Sequence, residues 1–384
     1  MVVHTCAPVC LLNSGTLPSV QHIQLAYAWQ QARGDDPARS PTSPLQNPLM
    51  DLLHAVRASG SISGAARAMG LSYRHVWGEL HRWEEELGQA LIVWEKGQAA
   101  RLTAFADKLL WAERQAQARL APQISALQAE LEKTFALAFD PDQHLLTMYA
   151  SHDDALVSLR SHAAQQGLHL DMRFCGSVDA IRALNEGRCT IAGFHAPIHP
   201  APHSLVARTY KPLLRTGQHK IIGFASRAQG LMVPAGNPLG LSQWSDLLRP
   251  ELRLANRTLG TGTRLLLDDW LDSQGIEGHT IVGYDQAEPS HAAVATRIAS
   301  GQADTGMGIA SAAHMHGLDF IPLLQEHYWL VCLKSALDTP AVQALRTMVD
   351  SYTWGQQLLR HAGYSAHPHP GQVQSLKAQL PWWS

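Results

Sequence analysis

Apolar residues recur every three to four positions along residues 49–87, in three short runs. Leu49, Leu52, Leu53 and Val56 form the first, Ile62, Ala65, Ala66 and Met69 the second, and Val76, Leu80, Trp83 and Leu87 the third. Each run predicts one buried face of an amphipathic helix. Gly70 supplies the left-handed residue that ends the second helix, and Ser72 is placed to cap the third, so the turn between them is short and defined. On the third helix Arg74, Gly78 and His81 point away from the apolar stripe, with His75, Trp77 and Arg82 on its flanks. Arginine grips a guanine edge with two hydrogen bonds, histidine and tyrosine reach phosphate or base, and glycine lets backbone approach closely. Gly78 costs about 1 kcal/mol of helix stability against alanine, which asks for a contact in return. Duplex DNA is the partner these residues suggest; the plain alternative is a helical hairpin whose polar face is only wetted.

After the third helix, Ala90 to Thr103 holds two short apolar runs around Glu95, Lys96 and Gly97. That is a hairpin pattern, and its tip would touch the DNA backbone through Lys96 and Arg101. Residues 47–103 together resemble a winged helix-turn-helix of the LysR type, and the segment SYRHVW at 72–77 is similar to the molybdate-responsive ModE-type branch. The contact set expected from pattern and resemblance is Ser61, Ser63, Ser72, Tyr73, Arg74, Trp77, Gly78, His81, Arg82, Lys96 and Arg101. Residues 1–46 are harder to read: Ile23, Leu25, Tyr27 and Trp29 alternate like a half-buried strand, and a linker rich in Pro, Ser and Asp runs through Pro41, Pro44 and Pro48.

From Ala104 to Phe139 the chain is rich in helix formers. Phe105, Leu109, Ala112, Ala116, Leu120, Ile124, Leu127, Leu131 and Phe135 make an apolar seam, and Pro122 is expected to kink or split the helix. A linker helix with such a seam is a natural dimerisation element, matching two half-sites one turn of DNA apart. The alternative is that the seam packs on its own chain.

Beyond residue 140 short apolar strands alternate with helices, as an α/β domain requires. Strands are expected at His144 to Ala150, Leu168 to Phe174, Cys189 to Phe194, Leu252 to Ala255, Ala303 to Met307 and Trp329 to Leu333. These suffice for two lobes with a cleft, the second lobe at about 228–316, with crossings near Phe224 to Gly230 and Gly317 to Pro322. Several strand-to-helix turns carry hydroxyl or glycine residues where backbone N–H groups are free to hold an anion. The candidates are Ser151, His152, Ser177, His195, Arg257, Thr261, Gly262, Thr263, Arg264, Ser290 and His291. Any helix start wants such residues as caps, so their recurrence after successive strands is the argument.

This half is similar to the periplasmic-binding-protein-like domain fused to ModE-type regulators and to some molybdenum-cofactor biosynthesis proteins. The resemblance rests on ASHDDAL at 150–156, GSVDAIRAL at 176–184, AGFHAP at 192–197, RAQGLMVPAGNP at 227–238, NRTLGTGTRLLLD at 256–268 and SHAAVATRIASGQADTGMGI at 290–309. GTGTR stands here where the family has GSGTR, which keeps the hydroxyl. The resemblance implies a sensor of a small anionic effector, molybdate or tungstate first and a small carboxylate such as formate second. The whole reads as an α/β multidomain protein: winged helix-turn-helix, linker helix at 104–139, and a two-lobed type II periplasmic-binding-protein-like domain at 140–384.

The 384 residues are 46% hydrophobic and 16% charged, a globular composition with sizeable cores, and the net charge of −2 argues against a protein that coats nucleic acid generally. The acidic Glu84, Glu85 and Glu86 close the third helix, where they are expected to face away from phosphate. Five cysteines include no C-x-x-C pair, no apolar run approaches a membrane span, and the start lacks a signal-peptide pattern, so a cytoplasmic protein is expected. Ser151, His152 and Asp153 look like a hydrolytic trio, yet adjacent side chains project in different directions, and catalysis is not expected. Nor is a metal: His195, His199 and His203 are separated by Pro197, Pro200 and Pro202, which break the helix that would align them. A cytoplasmic oxyanion-binding protein or a molybdenum-cofactor-related enzyme is the competing function.

Overall fold

The structure is a computed structural model and describes residues 47–93, 100–139 and 144–383. The strand expected at Ile23 to Trp29 and the wing tip with Lys96 lie outside the described residues. Helices α1 (Pro48–Ser59), α2 (Ile62–Ala68) and α3 (Tyr73–Leu87) precede a two-stranded wing, β1 (Ile92–Val93) paired antiparallel with β2 (Arg101–Leu102). Pro48 opens α1 instead of belonging to the linker, because Asn47 caps the helix and a first-turn proline lacks only an N–H that the helix cannot use. The apolar stripes meet as expected in one core, which Leu91, Ala100, Ala106 and Leu110 complete.

Helix α4 (Ala104–Phe139) is a single helix with Pro122 inside it. Its first turns close the core of the three-helix module and its later turns pack against the next domain, so part of the seam is covered by its own chain. Ala112, Ala116 and Leu127 stay exposed, while the side chain of Phe135 lies outside the described residues.

The next domain begins with β3 (His144–Ala150), α5 (Asp154–Ala164), β4 (Leu168–Phe174), α6 (Ser177–Asn185), β5 (Ile191–Pro197) and α7 (Leu205–Tyr210). The 15-residue β6 (His219–Val233) then crosses to a second lobe of β7 (Asn256–Arg257), α8 (Gly262–Gln274), β8 (Ala287–Glu288), α9 (His291–Ala299), β9 (Gly306–Ile309) and α10 (Ala310–Met315). An equally long β10 (Asp319–Leu333) returns, and α11 (Pro340–Val349), α12 (Tyr352–Leu358), β11 (Tyr364–Ala366), β12 (Val373–Ser375) and α13 (Leu376–Gln379) end the chain on the first lobe. β6 and β10 pair antiparallel from Asp319↔Val233 to Leu333↔His219, so both crossings run side by side through one ladder. β5 lies beyond β10, followed by parallel β3 and β4.

Alternation along these long strands divides the interior into two cores. Ile222, Met232, Leu330 and Cys332 enter one, and Ile221, Leu231, Trp329 and Val331 the other. Three expected strands are shifted toward the C-terminus: Cys189 to Phe194 becomes Ile191–Pro197, Leu252 to Ala255 gives way to Asn256–Arg257, and Ala303 to Met307 to Gly306–Ile309, with Leu254 keeping only an isolated bridge to Thr305. Among the described residues no helix is long and apolar enough to cross a membrane.

Candidate functional site

The helix pair of the DNA module is built by its caps. Ser61 Oγ accepts from Gly64 N–H at 2.9 Å and Ser72 Oγ from His75 N–H at 3.1 Å, so both hydroxyl oxygens serve helix starts before anything else. Gly70 takes a left-handed φ of 66° and the chain turns directly into α3. Val76 and Leu80 are buried, whereas Tyr73, Arg74, His75, Trp77, Gly78 and His81 are exposed, as is Ser63 on α2. Tyr73 and Trp77 stack with ring centroids 6.4 Å apart and planes 10° from parallel.

The far half of α3 differs. Arg82 is held by Glu79 and by Glu86 at 3.3 Å, and His81 lies 3.6 Å from Glu84 and 3.7 Å from Glu85. The expected contacts His81 and Arg82 therefore have acidic neighbours on their own helix. Glu84 has a further role that spacing does not reveal: its Oε1 accepts from the backbone N–H groups of Leu91 at 2.8 Å and Ile92 at 3.2 Å, tying the wing to α3. Arg101 is exposed on β2.

In the two-lobed domain the candidates separate into those that converge and those consumed by structure. Ser151 follows β3, Ser177 opens α6, His195 lies on β5, Arg257 on β7, Gly262 opens α8 and His291 opens α9. The His195 ring lies 3.8 Å from that of Tyr328 on β10, and a Cβ at Gly262 would stand 3.2 Å from His195 Cβ. Ser151 Oγ, Ser177 Oγ, both ring nitrogens of His195, Arg257 Nε, His291 Nδ1 and Tyr328 OH are buried and have no hydrogen-bond partner among the described residues. Each such group left unpaired costs about 1–3 kcal/mol, so a cluster of them at the carboxyl ends of strands marks a polar chamber.

Its electrostatics are dominated by one buried cation. Arg257 is 2% exposed, and among the described residues its guanidinium forms no ion pair; its nearest acceptor is Glu288 O at 3.4 Å. Burial, reinforced by Arg227 and opposed in part by the Glu288 carboxylate, pushes its pKa down to about 9. Burial and Arg257 take His152 down to about 4 against a partial opposing pull from Asp153, and burial with the two arginines holds His195 and His291 well below the usual range. These rings are neutral at pH 7 and each offers one N–H donor. Backbone approaches closely beside the cluster: Val178 N–H donates to Gly260 O at 3.3 Å, and a Cβ on Gly176 would come within 2.7 Å of that oxygen.

Most of the other candidates are held by structural contacts, and only His152 among them also lies within the electrostatic reach of Arg257 and His291. Thr261 Oγ1 caps α8 and donates to Thr258 O at 2.8 Å, while Thr263 Oγ1 accepts from Gln229 Nε2 at 2.9 Å. Arg264 pairs with Asp268 at 2.9 Å and lies 3.9 Å over the Tyr284 ring. His152 is edge-on to Phe174 at 4.8 Å. Ser290 accepts from Ala293 N–H at 3.1 Å and donates to Ala118 O at 2.9 Å, on the linker helix. Pro122 explains that bond, because it has no N–H to give the carbonyl four residues earlier. Beside it Glu288 accepts from Arg119 at 2.9 and 3.2 Å and from Arg297 at 3.1 Å.

A buried charge cluster was not anticipated. Arg227 on β6 pairs with Asp153 and, at 2.6 Å, with Glu326, its register partner on β10; Tyr364 OH also accepts from Arg227, at 2.9 Å, and Gln229 donates to Glu326 at 3.0 Å. The available signal was a charge inside an apolar strand, Arg227 within FASRAQGLMV and Glu326 within LLQEHYWLV, which implies a buried partner of opposite sign.

Residues 49–107 match the bacterial regulatory helix-turn-helix family of the lysR type, and residues 159–350 match the PBP superfamily domain. The chain belongs to that superfamily and, with the lysR-type module ahead of it, is a LysR-type DNA-binding transcriptional regulator with an effector-binding domain. Such regulators bind operator DNA and a small-molecule effector, act as oligomers, and are not enzymes. Among curated proteins the uncharacterized protein YvgK of Bacillus subtilis is 32% identical over 227 residues, 59% of this chain and 72% of that protein. An uncharacterized Clostridium pasteurianum protein in the ferredoxin 2Fe-2S gene 5' region is 34% identical over 101 residues, 26% of this chain and 89% of that protein. Among solved structures a hydrogen-peroxide-bound mutant of Corynebacterium glutamicum OxyR superposes with a TM-score of 0.41 at 14% identity, covering 80% of this chain and 92% of that one.

Proposed function

We propose that this regulator senses a small anion in the chamber around Arg257 and passes the signal to operator DNA through α4. One observation carries the reading: a buried guanidinium in no direct ion pair, Glu288 acting on it through space while bonded to Arg119 and Arg297, among hydroxyl, imidazole and phenol groups that lack partners of their own. An anion supplies the missing charge and acceptors together. A tetrahedral oxyanion of the molybdate or tungstate type is the first candidate, because its four oxygens suit several converging donors, and a small carboxylate such as formate is the second.

The proposed division is a DNA module at 47–103, a linker helix at 104–139 and a sensor at 140–384, acting in the cytoplasm as a dimer or higher oligomer. Ser63, Tyr73, Arg74, Trp77, Gly78 and Arg101 meet the duplex. The Ala287 to His291 segment joins sensor to linker: His291 faces the chamber, while Glu288 and Ser290 hold Arg119 and the Ala118 carbonyl. A coupling of about 1–3 kcal/mol between effector and DNA is sufficient for regulation.

Calorimetric titration of the full chain with molybdate, tungstate and formate, repeated as gel shifts on the chain's own upstream DNA, tests the proposal. Saturable binding that shifts DNA affinity is the expected result. Anion binding without any effect on DNA would favour an oxyanion carrier, and absence of binding by all three anions would remove the sensor assignment.

A further inference from the structure

The exposed aromatic pair on α3 has no structural duty in its own module. Tyr73 is 50% exposed and Trp77 44%, although burying such rings is strongly favourable, and their stacking holds Trp77 as a firm apolar plate. One position on from each, Arg74 forms no ion pair among the described residues, and nothing stands within 4 Å of where a Cβ on Gly78 would lie. Beyond Gly78 the helix turns acidic: Glu79 and Glu86 engage Arg82, Glu84 and Glu85 flank His81, and Glu85 and Glu86 are exposed carboxylates that phosphate repels. Charge thus admits the first half of α3 to a groove and keeps out the second.

We propose that Trp77, backed by Tyr73, recognises the 5-methyl group of thymine beside the base edge taken by Arg74. This rests on the reading of α3 as the groove helix. The major groove displays hydrogen-bonding edges and a single kind of apolar feature, the thymine methyl, so an exposed indole on a groove-facing helix has one matching base. Tyr73 and Trp77 lie one helical turn apart and share one strip of the surface, with Arg74 and Gly78 on the adjacent strip. The module then reads two properties of neighbouring base pairs, one apolar and one polar.

The test starts by selecting a preferred duplex from a random library with the full-length chain, then measures binding by fluorescence anisotropy after thymine is replaced by deoxyuridine, which removes only the methyl. Wild type should lose about fourfold in affinity for each contacted thymine, the worth of one buried methyl group. Trp77→Ala should bind the thymine and uracil duplexes equally, and Arg74→Ala should bind both more weakly while still preferring thymine. Equal binding of the two duplexes by wild type, or a Trp77→Ala protein that keeps the preference, overturns the aromatic contact alone. A library that yields no preferred sequence overturns the groove reading of α3 and this inference with it.

Discussion

The third helix and the proposed effector site would carry function in opposite ways. On α3 the proposed contacts are those the core leaves out: Val76 and Leu80 face inward, and Arg74 and Trp77 are exposed by default. At the effector site the proposed contacts are buried, and they are told from structural groups only by whether they already have partners. Ser290 and Thr261 are caps with satisfied hydroxyls, whereas Ser177 follows a Gly176 cap that uses no side chain, which leaves its hydroxyl turned to the buried Tyr210 OH and not to the helix start. A serine at a helix start is therefore a ligand candidate only when another residue caps the helix.

The strongest way to break this contrast is Arg257→Met. Two charge-assisted hydrogen bonds at about 1.5–3 kcal/mol each predict at least a hundredfold loss of anion affinity by calorimetry. DNA affinity should be unchanged and thermal stability no lower, since the substitution removes an unpaired buried cation. Next, Arg74→Ala should cost about 1–3 kcal/mol of specific DNA binding in anisotropy titrations and leave the anion isotherm untouched. Loss of both activities in either variant would dissolve the separation of the two regions.

A paired serine experiment sharpens the point about caps. Ser290→Ala should lower stability by about 1 kcal/mol in urea unfolding, through loss of the α9 cap, and weaken the anion's effect on DNA while preserving anion affinity. Ser177→Ala should do the reverse, losing anion affinity with stability held. The smallest effect is spread over pH. His152 stays neutral in the fold down to about pH 4, while the unfolded chain takes up its proton near 6.5, so stability should fall as pH drops from 6.5 toward 4. His195 and His291 shift in the same direction. Urea midpoints that stay level across that window would count against the buried, neutral imidazoles.

Local period and punctuation made the first three helices and the Gly70–Ser72 turn readable, because each depends on residues three or four apart, whereas the Asn47 cap with Pro48 at the start of α1 reads as linker. The linker helix illustrates the limit. Pro122 implies a break, yet α4 runs through it, and the group that satisfies the freed Ala118 carbonyl is Ser290, distant in sequence. The same limit hid the Arg227, Asp153 and Glu326 cluster, which exists only once β6 and β10 are in register. Arg264 is the converse case: Asp268, four residues along the same helix, pairs with it, a spacing the sequence already offers, whereas the setting of Arg257 takes shape only in the fold.

The backbone contact of Gly260 with Gly176 and Val178 would set a clock as well as a shape under the proposed reading. If a small ion is held beside these loops, its entry and departure would both require them to part. Such a sensor would keep its message for as long as the two halves stayed together, so a brief pulse of the ion could outlast itself in transcription.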